Sequence, residues 1–424
     1  MQKFLAGFLK RDGLAVLLST FLIKISGIIL SIVVVRLLTV KEYGDIAFAI
    51  SVTGIVSVFA GLGSNWSLLR FGPDLPSISA RFQLLKYALA KGTMCTLPMI
   101  LLVIGASFFL PSNLKDSKYF LIILSVGVLT SFLYQALQSY FRIIGKNKLY
   151  SKSNVLGSVI LLVFAIVLSF FLNGYGYVLA MVLSPLIAYA AFYKHIGFRK
   201  LSNKKKVDKK FFTYGVYTSL GMIASQATIS LGPVIGGYLN ATSTDLALFR
   251  VATIIPFNLL VLPLLIMTTD FVHFSKNSKN PAVLKDYYFQ YVKTLSVFTL
   301  IPFLIILVFN KTILLILFSA NYAASAPMSL VLLVGVLFSF FLRIPLGNIL
   351  AAVGKADWNV VHTIFWLVAF IPISILSYNS WGMLGIAASI SFVLIFSGFI
   401  SLVLFFYFLK SIESKKLEAN PTSI

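Results

Sequence analysis

The sequence predicts an all-α integral membrane protein of about 12 transmembrane helices in two six-helix lobes. Hydrophobic residues make up 59% of the 424 residues, and charged residues only 11%. A soluble domain is nearer 45–50% apolar and about 25% charged, so a water-soluble chain could not bury this much apolar surface. The apolar residues are also grouped in runs of about 20, the length that crosses the hydrocarbon core as a helix.

Twelve such runs are predicted as membrane spans. The first is about 25 residues long, which exceeds a signal-peptide core and favours a retained first helix. The twelve spans cover roughly residues 13–38, 44–70, 87–110, 119–141, 153–172, 176–195, 211–239, 246–272, 290–309, 325–352, 358–377 and 382–409.

A basic stretch at residues 199–210 divides the chain near its midpoint. We interpret residues 1–198 as an N-terminal lobe with helices 1–6, and 199–210 as a cytoplasmic linker. Residues 211–424 then form a C-terminal lobe with helices 7–12 and a short tail. Positive charge remains on the cytoplasmic side of a membrane, so this linker is expected to set the orientation of both lobes.

The distribution of Lys and Arg predicts that both termini are cytoplasmic. With twelve spans, 27 of the 35 basic residues fall in cytoplasmic segments. Four fall in outside loops, namely Lys41, Lys115, Lys118 and Lys311. The net charge of +23 therefore reflects membrane topology, and a nucleic-acid partner is not expected.

The two halves show matching motifs. Gly145-Lys146 precedes a span that ends near Gly176, and Gly354-Lys355 precedes a span that ends near Gly382. The separations are 209 and 206 residues. Because both spans run in the same direction, the pattern predicts a parallel repeat with a pseudo-two-fold axis along the membrane normal, a transporter feature.

Three cations at membrane depth are the main candidates for substrate binding. Lys24 lies near the middle of the first span, and it shares a helical face with Thr20, Gly27 and Ser31. Arg343 lies deep in the tenth span, and Arg250 lies in the outer part of the eighth. Charged side chains within spans are costly and are often functional. Pairing with backbone or acids, or snorkelling to the interface, are the structural alternatives.

Five further residues are secondary candidates. Arg36 lies at the outer end of the first span, where snorkelling is the alternative. Gln135, Gln138 and Arg142 form a polar stripe on the fourth span, and Gln226 lies on the polar side of the seventh. Hydrogen bonds between helices would explain these stripes equally well. The pairs Gly232-Pro233 and Gly236-Gly237 predict an interruption of the seventh helix.

The sequence lacks the residues that several other functions need. A lone cysteine, Cys95, and three scattered histidines indicate no metal site, and no phosphate-binding loop is present. No cofactor is expected, and the short outside loops leave no room for a catalytic domain, so we do not expect an enzyme. No Asp or Glu lies deep in a span, whereas several cations do. A central cavity would therefore be electropositive and would favour an anionic solute such as a phosphate.

Two segments carry a resemblance to a known family. Residues 35–44, then Gly61-Leu62-Gly63 and Leu69-Arg70, resemble the N-terminal signature of polysaccharide-unit flippases, and residues 141–146 match the start of their fifth span. The chain is similar over nearly its whole length to the Wzx-type O-antigen flippases. These belong to the superfamily of multidrug, oligosaccharidyl-lipid and polysaccharide exporters (MOP).

The resemblance implies that the substrate is an undecaprenyl-diphosphate-linked oligosaccharide, moved from the inner to the outer leaflet of a bacterial plasma (inner) membrane. It implies alternating access through a cationic cavity. A polysaccharide polymerase and a chain-length regulator are possible partners, besides membrane lipid. Lys24 and Arg250 lie where related flippases place cavity cations, although those relatives usually carry Arg in the first span. A drug or small-solute antiporter of the same superfamily, and a membrane polysaccharide polymerase or ligase, are the alternatives.

Overall fold

The computed structural model describes residues 13–196 and 210–419, and every regular element in these residues is a helix. The all-helical prediction is therefore confirmed. The predicted linker 199–210 lies outside the described residues, apart from Lys210. The main helices are α1 (Gly13–Leu37), α2 (Val40–Ser57), α3 (Ser64–Phe71), α4 (Ile78–Ser107), α5 (Ser117–Ile143), α6 (Asn147–Tyr193), α7 (Lys210–Tyr238), α8 (Ser243–Leu259), α9 (Val261–Lys276), α10 (Pro281–Phe318), α11 (Ala326–Phe338), α12 (Ile344–Ala352) and α13 (Ala356–Ala419).

Eight helical segments in the described part of the chain are long and apolar enough to cross a membrane. A ninth is added if α2 and the bent segment Ala60–Phe71 are counted as one broken span. The chain is therefore a multi-pass membrane protein. The count of twelve spans and the two-lobe repeat stay predictions.

The chain divides into two compact units, Met1–Ala247 and Leu248–Ile424. In the first unit, α6 packs against both α1 and α5, while α7 packs against α2 and α3. One core of this unit combines aliphatic and aromatic side chains from α4, α5 and α6. That core includes Phe82, Phe132, Tyr140, Phe141 and Phe192.

In the second unit, α13 packs against α11 and α12, and α9 packs against α12. Its main core joins α9, α10, α12 and the C-terminal part of α13, and includes Met267, Phe274, Leu284, Ile349 and Phe405. A smaller core lies around Phe303, Val336 and Phe340. Lipid tails are as apolar as these side chains, so the hydrophobic effect does not drive helices together inside the bilayer. Van der Waals packing of these side chains contributes to the association instead.

The two longest helices each contain one non-helical residue. In α6 it is Asn173, with φ 49° and ψ −132°, and in α13 it is Gly382, with φ 57° and ψ −140°. A straight 47-residue helix would extend about 70 Å, against roughly 30 Å of hydrocarbon. Each break interrupts its long helix, and the two breaks lie 209 residues apart with nearly the same backbone conformation.

Neighbouring glycines repeat the same geometry. Gly145 and Gly354, both before a long helix, have φ of 75° and 86°. A Cβ added to Gly176 would come 2.0 Å from the carbonyl oxygen of Leu168, and one added to Gly385 would come 2.1 Å from that of Ser377. In all three pairs the two positions lie 209 residues apart. By backbone geometry Gly176 therefore corresponds to Gly385, whereas the sequence motifs paired it with Gly382 at a spacing of 206.

The seventh helix does not show the predicted interruption. α7 is hydrogen-bonded as a helix from Lys210 to Tyr238, including Pro233. A proline removes one backbone donor, and in membrane helices neighbouring groups compensate for that loss. The broken span is instead the second one, where α2 and α3 are separated by a bend of 40°.

A buried carboxylate ties three helix starts together in the first unit. Asp45, in α2, is only 2% exposed. Its Oδ1 accepts hydrogen bonds from the hydroxyls of Ser117 at 2.8 Å and Ser243 at 2.6 Å. The preceding Gly44 lies directly under Ser243, because an added Cβ would come 1.6 Å from the Ser243 carbonyl oxygen. The starts of α2, α5 and α8 thus share one contact point.

We expect the break residues to respond oppositely to substitution. Asn173→Gly should raise the melting temperature of the detergent-solubilised protein, because glycine adopts this conformation without strain. Gly382→Asn should lower the melting temperature, because it should reduce the free energy of unfolding by about 1–3 kcal/mol. A thermal unfolding series on both variants checks this, and an unchanged melting temperature in Gly382→Asn would contradict it.

Gly44→Ala should greatly reduce the amount of monodisperse protein, because backbone of α2 and α8 would have to separate. The matched control is Gly105→Ala on α4, where an added Cβ meets nothing within 4 Å. Alanine in an exposed helical position stabilises by up to about 1 kcal/mol relative to glycine, so this control should fold at least as well as wild type. Size-exclusion chromatography of both variants is the measurement, and equal yields would refute the close contact.

Candidate functional site

Lys24 lies on the open face of α1. Its side chain is exposed, as is Gly27 one turn later, and an added Cβ at Gly27 would meet nothing within 4 Å. Further along α1, Leu30, Val34 and Val35 are buried against the rest of the first unit. Of the small and polar face predicted from the sequence, Lys24 and Gly27 are exposed, whereas Thr20 and Ser31 are half-buried.

The two other arginines predicted near outer ends differ in setting. Arg36 is exposed in the last turn of α1, where a cation interacts favourably with the helix dipole. Arg250 is partly buried in α8. Asp245 does not neutralise a cation there, because its carboxylate accepts from the backbone N–H of Thr242 at 2.9 Å and from the Thr242 hydroxyl at 2.7 Å. This capping arrangement satisfies the start of α8.

Arg343 ends a π-helical turn, Ser339–Arg343, between α11 and α12. Its Nη2 donates to Thr363 Oγ1 at 2.7 Å. Gly347 provides the space for the guanidinium, since a Cβ at that position would come 2.6 Å from Nη1. Single π-helical turns occur frequently at functional sites, because they re-aim side chains within a helix.

The polar side chains near Arg343 are neutral. Asn359 donates to the Gly347 carbonyl at 2.6 Å, and the indole of Trp366 donates to His362 Nε2 at 3.0 Å. The carbonyl oxygen of the Asn359 side chain is buried and has no hydrogen-bond partner among residues 13–196 and 210–419. Arg343 is therefore held by neutral hydrogen-bonding groups, and its positive charge is not cancelled by them.

Two ion pairs are present in the described residues. Lys41 pairs with Asp116 at 2.7 Å, and Arg70 pairs with Asp74 at 3.1 Å, with all four side chains largely exposed. Exposed pairs of this kind contribute little to stability. Neither pair involves Lys24, Arg250 or Arg343, so within the described residues these three cations have no carboxylate partner.

The polar stripe on α5 separates into residues with different contacts. Gln138 donates to Asn154 of α6 at 2.5 Å, a hydrogen bond between helices. The guanidinium of Arg142 lies over the Tyr150 ring, 5.4 Å from its centroid. Gln135 instead accepts from the side-chain amide of Asn65 at 3.1 Å and lines a cavity. Helical spacing alone does not distinguish these three roles.

The cavity in question measures about 220 Å³ and lies within the first unit. It brings together Gln135 from α5 and Gln226 from α7, two of the secondary candidates, while Lys24 and Arg36 do not line it. Its lining residues are Ser57, Val58, Ala60, Asn65, Trp66, Phe132, Gln135, Met222 and Gln226. None of them is charged.

The cavity owes its position to the break between α2 and α3. Gly61, Leu62 and Gly63 all have left-handed backbone conformations, with φ of 62°, 50° and 65°. Added Cβ atoms at Gly61 and Gly63 would come 2.1 Å from the Phe132 ring and 2.3 Å from the Gly215 carbonyl oxygen. Glycine is thus required at both positions, and the break places Asn65 and Trp66 beside α5 and α7.

Asn65 and Trp66 were not predicted from the sequence. Neither residue belongs to a set of polar residues at helical spacing, and a single amide or indole shows no periodicity that would single it out. The available signal was Gly61-Leu62-Gly63, since a glycine pair within an apolar span marks a place where backbone bends and side chains change direction.

No group of three or more metal-ligating side chains occurs in the ranges 13–196 and 210–419. The candidate residues carry amides, hydroxyls, an indole and cations. Such groups bind by hydrogen bonding and by charge.

Solved membrane transporters share this architecture. An inward-facing MATE-family multidrug resistance transporter of the MOP superfamily superposes with a TM-score of 0.72 at 13% identity, covering 95% of this chain and 96% of that one. The lipid II flippase MurJ, in an inward closed conformation, gives 0.74 at 14% identity, covering 93% and 87%. A MOP-superfamily transporter from Pyrococcus furiosus, described by the reverse polarity of its binding pocket, gives 0.60 at 14%, covering 92% and 96%. At these identities the likeness establishes the fold alone, which this chain shares with these transporters.

The sequence then identifies the family. Residues 9–271 match the family model described as "Polysaccharide biosynthesis protein". The match covers more than half of the chain, so the chain belongs to this family. Comparison with curated protein sequences finds no match. Family and fold together confirm the resemblance to the Wzx-type flippases of the MOP superfamily.

Proposed function

We propose that this protein is a flippase for an undecaprenyl-diphosphate-linked oligosaccharide, an O-antigen or similar repeat unit. It would move this lipid from the inner to the outer leaflet of a bacterial plasma membrane by alternating access through a cationic cavity. The observation that carries the proposal is the presence of Lys24, Arg250 and Arg343 in apolar helices without a carboxylate partner among the described residues.

The energetic cost of these cations supports a role in binding. A Lys or Arg at the centre of a membrane helix costs about 2.5–3.5 kcal/mol on insertion scales. An ion pair within the protein would offset part of that cost, and none is formed by the three cations in the described residues. A diphosphate would provide the missing negative charge during transport. Lys24 would act as a point charge, and the two arginines would offer forked donors.

The acids argue against a cationic drug as the substrate. Asp45 is buried and accepts from two serine hydroxyls. Asp270, on α9, accepts from the Tyr287 hydroxyl. Each of these carboxylates already has donors, whereas carriers of cations need an available one. The likeness to a multidrug transporter concerns the fold only.

We further propose the topology of twelve spans, with both termini cytoplasmic and a parallel repeat of six plus six. The matching breaks at Asn173 and Gly382 support it, because each would divide one long helix into two spans. Acting in polysaccharide assembly, the protein would work beside a polymerase and a chain-length regulator. It would use no cofactor, and we expect no enzymatic activity.

Charge reversal at Lys24 tests the proposed function. Lys24→Glu should abolish surface polysaccharide in cells that depend on this protein, while its level in membranes is unchanged. Lys24→Arg should retain at least part of the activity, because the charge is kept. Lys311→Glu, an exposed cation about two turns before the end of α10, is the control and should behave as wild type. Surface polysaccharide is measured by gel staining and protein level by immunoblot.

The same strains also test the alternatives. Normal polysaccharide in Lys24→Glu cells would refute the proposed role of this cation. Drug resistance conferred by the wild-type protein on a sensitive host would favour an antiporter, and polymerisation by the purified protein would favour an enzyme.

A further inference from the structure

The cavity beside the broken second span has the chemistry of a sugar site. Three amide side chains, Asn65, Gln135 and Gln226, line it together with the aromatic rings of Trp66 and Phe132. Amides offer both a donor and an acceptor, which matches the paired hydroxyls of a sugar. Aromatic faces carry partial negative charge, which matches the C–H groups on the face of a sugar ring.

Part of this hydrogen-bonding capacity is unused within the described residues. The Asn65 amide donates to Gln135 Oε1 at 3.1 Å, which leaves the carbonyl of Asn65 and the NH₂ of Gln135 available. The Gln226 amide donates to the Ser230 hydroxyl at 3.2 Å, which leaves its carbonyl available. The indole N–H of Trp66 also lacks a partner in the described ranges. These polar atoms come from three different helices and share one cavity.

The size and charge of the cavity restrict the ligand. At about 220 Å³ it is below the roughly 300–1,000 Å³ of sites for drug-sized molecules, so it suits a single ring. Because none of the lining residues is charged, the cavity favours a neutral ligand over a diphosphate or a cationic drug. The charged candidates Lys24, Arg250 and Arg343 are not among its lining residues.

The cavity is also rigidly built. The backbone N–H of Gly61 donates to the buried Thr96 hydroxyl at 2.8 Å, which fixes the break between α2 and α3. Ser67 of α3 donates to the Phe211 carbonyl of α7 at 2.6 Å. These two hydrogen bonds hold the helices that carry Asn65, Trp66 and Gln226. A preorganised site loses less conformational entropy when the ligand binds.

We propose that this cavity binds one neutral sugar ring of the transported saccharide, with Trp66 against the ring and Asn65, Gln135 and Gln226 on its hydroxyls. The proposal rests on the proposed function, and it adds a place and a chemistry for the sugar that differ from those for the diphosphate. The cavity would recognise the saccharide, and the cations would recognise the lipid carrier.

The test compares two lipid probes with the purified protein in nanodiscs. One probe is undecaprenyl diphosphate without sugar, and the other is the undecaprenyl-diphosphate-linked saccharide extracted from the host cells. Gln135→Leu and Trp66→Ala should weaken binding of the glycosylated probe by about tenfold or more and leave binding of the sugar-free probe unchanged. Thr130→Val, on the same helix but outside the cavity and with its hydroxyl donating to the Gly127 carbonyl of that helix, is the matched control and should bind both probes like wild type.

A further variant separates binding from folding. Trp66→Phe keeps an aromatic face and should recover most of the affinity that Trp66→Ala loses. Melting temperatures of all variants show whether a loss is due to unfolding, and Gln135→Leu replaces a residue that is exposed to the cavity and should fold.

The outcomes distinguish the two proposals. If Gln135→Leu and folded Trp66→Ala bind the glycosylated probe like wild type, the sugar site is wrong. The proposed function still stands in that case if Lys24→Glu weakens binding of both probes. If the wild-type protein binds neither probe, the proposed function fails.

Discussion

The structure depends on one constraint, which is that every backbone polar group in the hydrocarbon core needs a partner within the protein. A break in a helix is therefore allowed only where other groups replace the lost hydrogen bonds. At the break between α2 and α3, the Thr96 hydroxyl accepts from the Gly61 N–H, and glycines admit Phe132 and the backbone of α7 at close range. The break exists because the core of the first unit supports it, and the cavity is its direct result.

The same constraint explains which features could be predicted. Composition and run length are sufficient for an all-helical membrane fold, because only helices satisfy their own backbone there. The location of the break was not predicted, since Gly232-Pro233 in α7 looks more disruptive than Gly61-Leu62-Gly63. α7 nonetheless continues through Pro233. Whether glycine breaks a helix depends on what approaches it, and that is decided by residues far away in the chain, such as Phe132 and Gly215.

Side-chain roles show a similar division. Lys24 could be selected from the sequence, because one charge within an apolar run is conspicuous and costly. Gln135 and Gln138 could not be distinguished, since they lie one turn apart on the same helix. Their neighbours separate them: Gln138 meets an amide on α6, whereas Gln135 meets Asn65 across a cavity. The partner that a polar side chain meets depends on how the helices pack. The periodicity of the sequence does not encode this packing.

A carrier must also release what it binds, and this limits how strong each contact should be. Neutral hydrogen bonds contribute about 0.5–1.5 kcal/mol each, so a sugar held by amides can leave readily. Cations without carboxylate partners attract a diphosphate more strongly, but tight binding to one conformation alone would stop the cycle. Lys24, as a hydrated point charge on a flexible side chain, would bind a phosphate without fixing its geometry. Separate recognition of sugar and diphosphate would thus let selectivity come from many weak contacts while the charge provides most of the affinity.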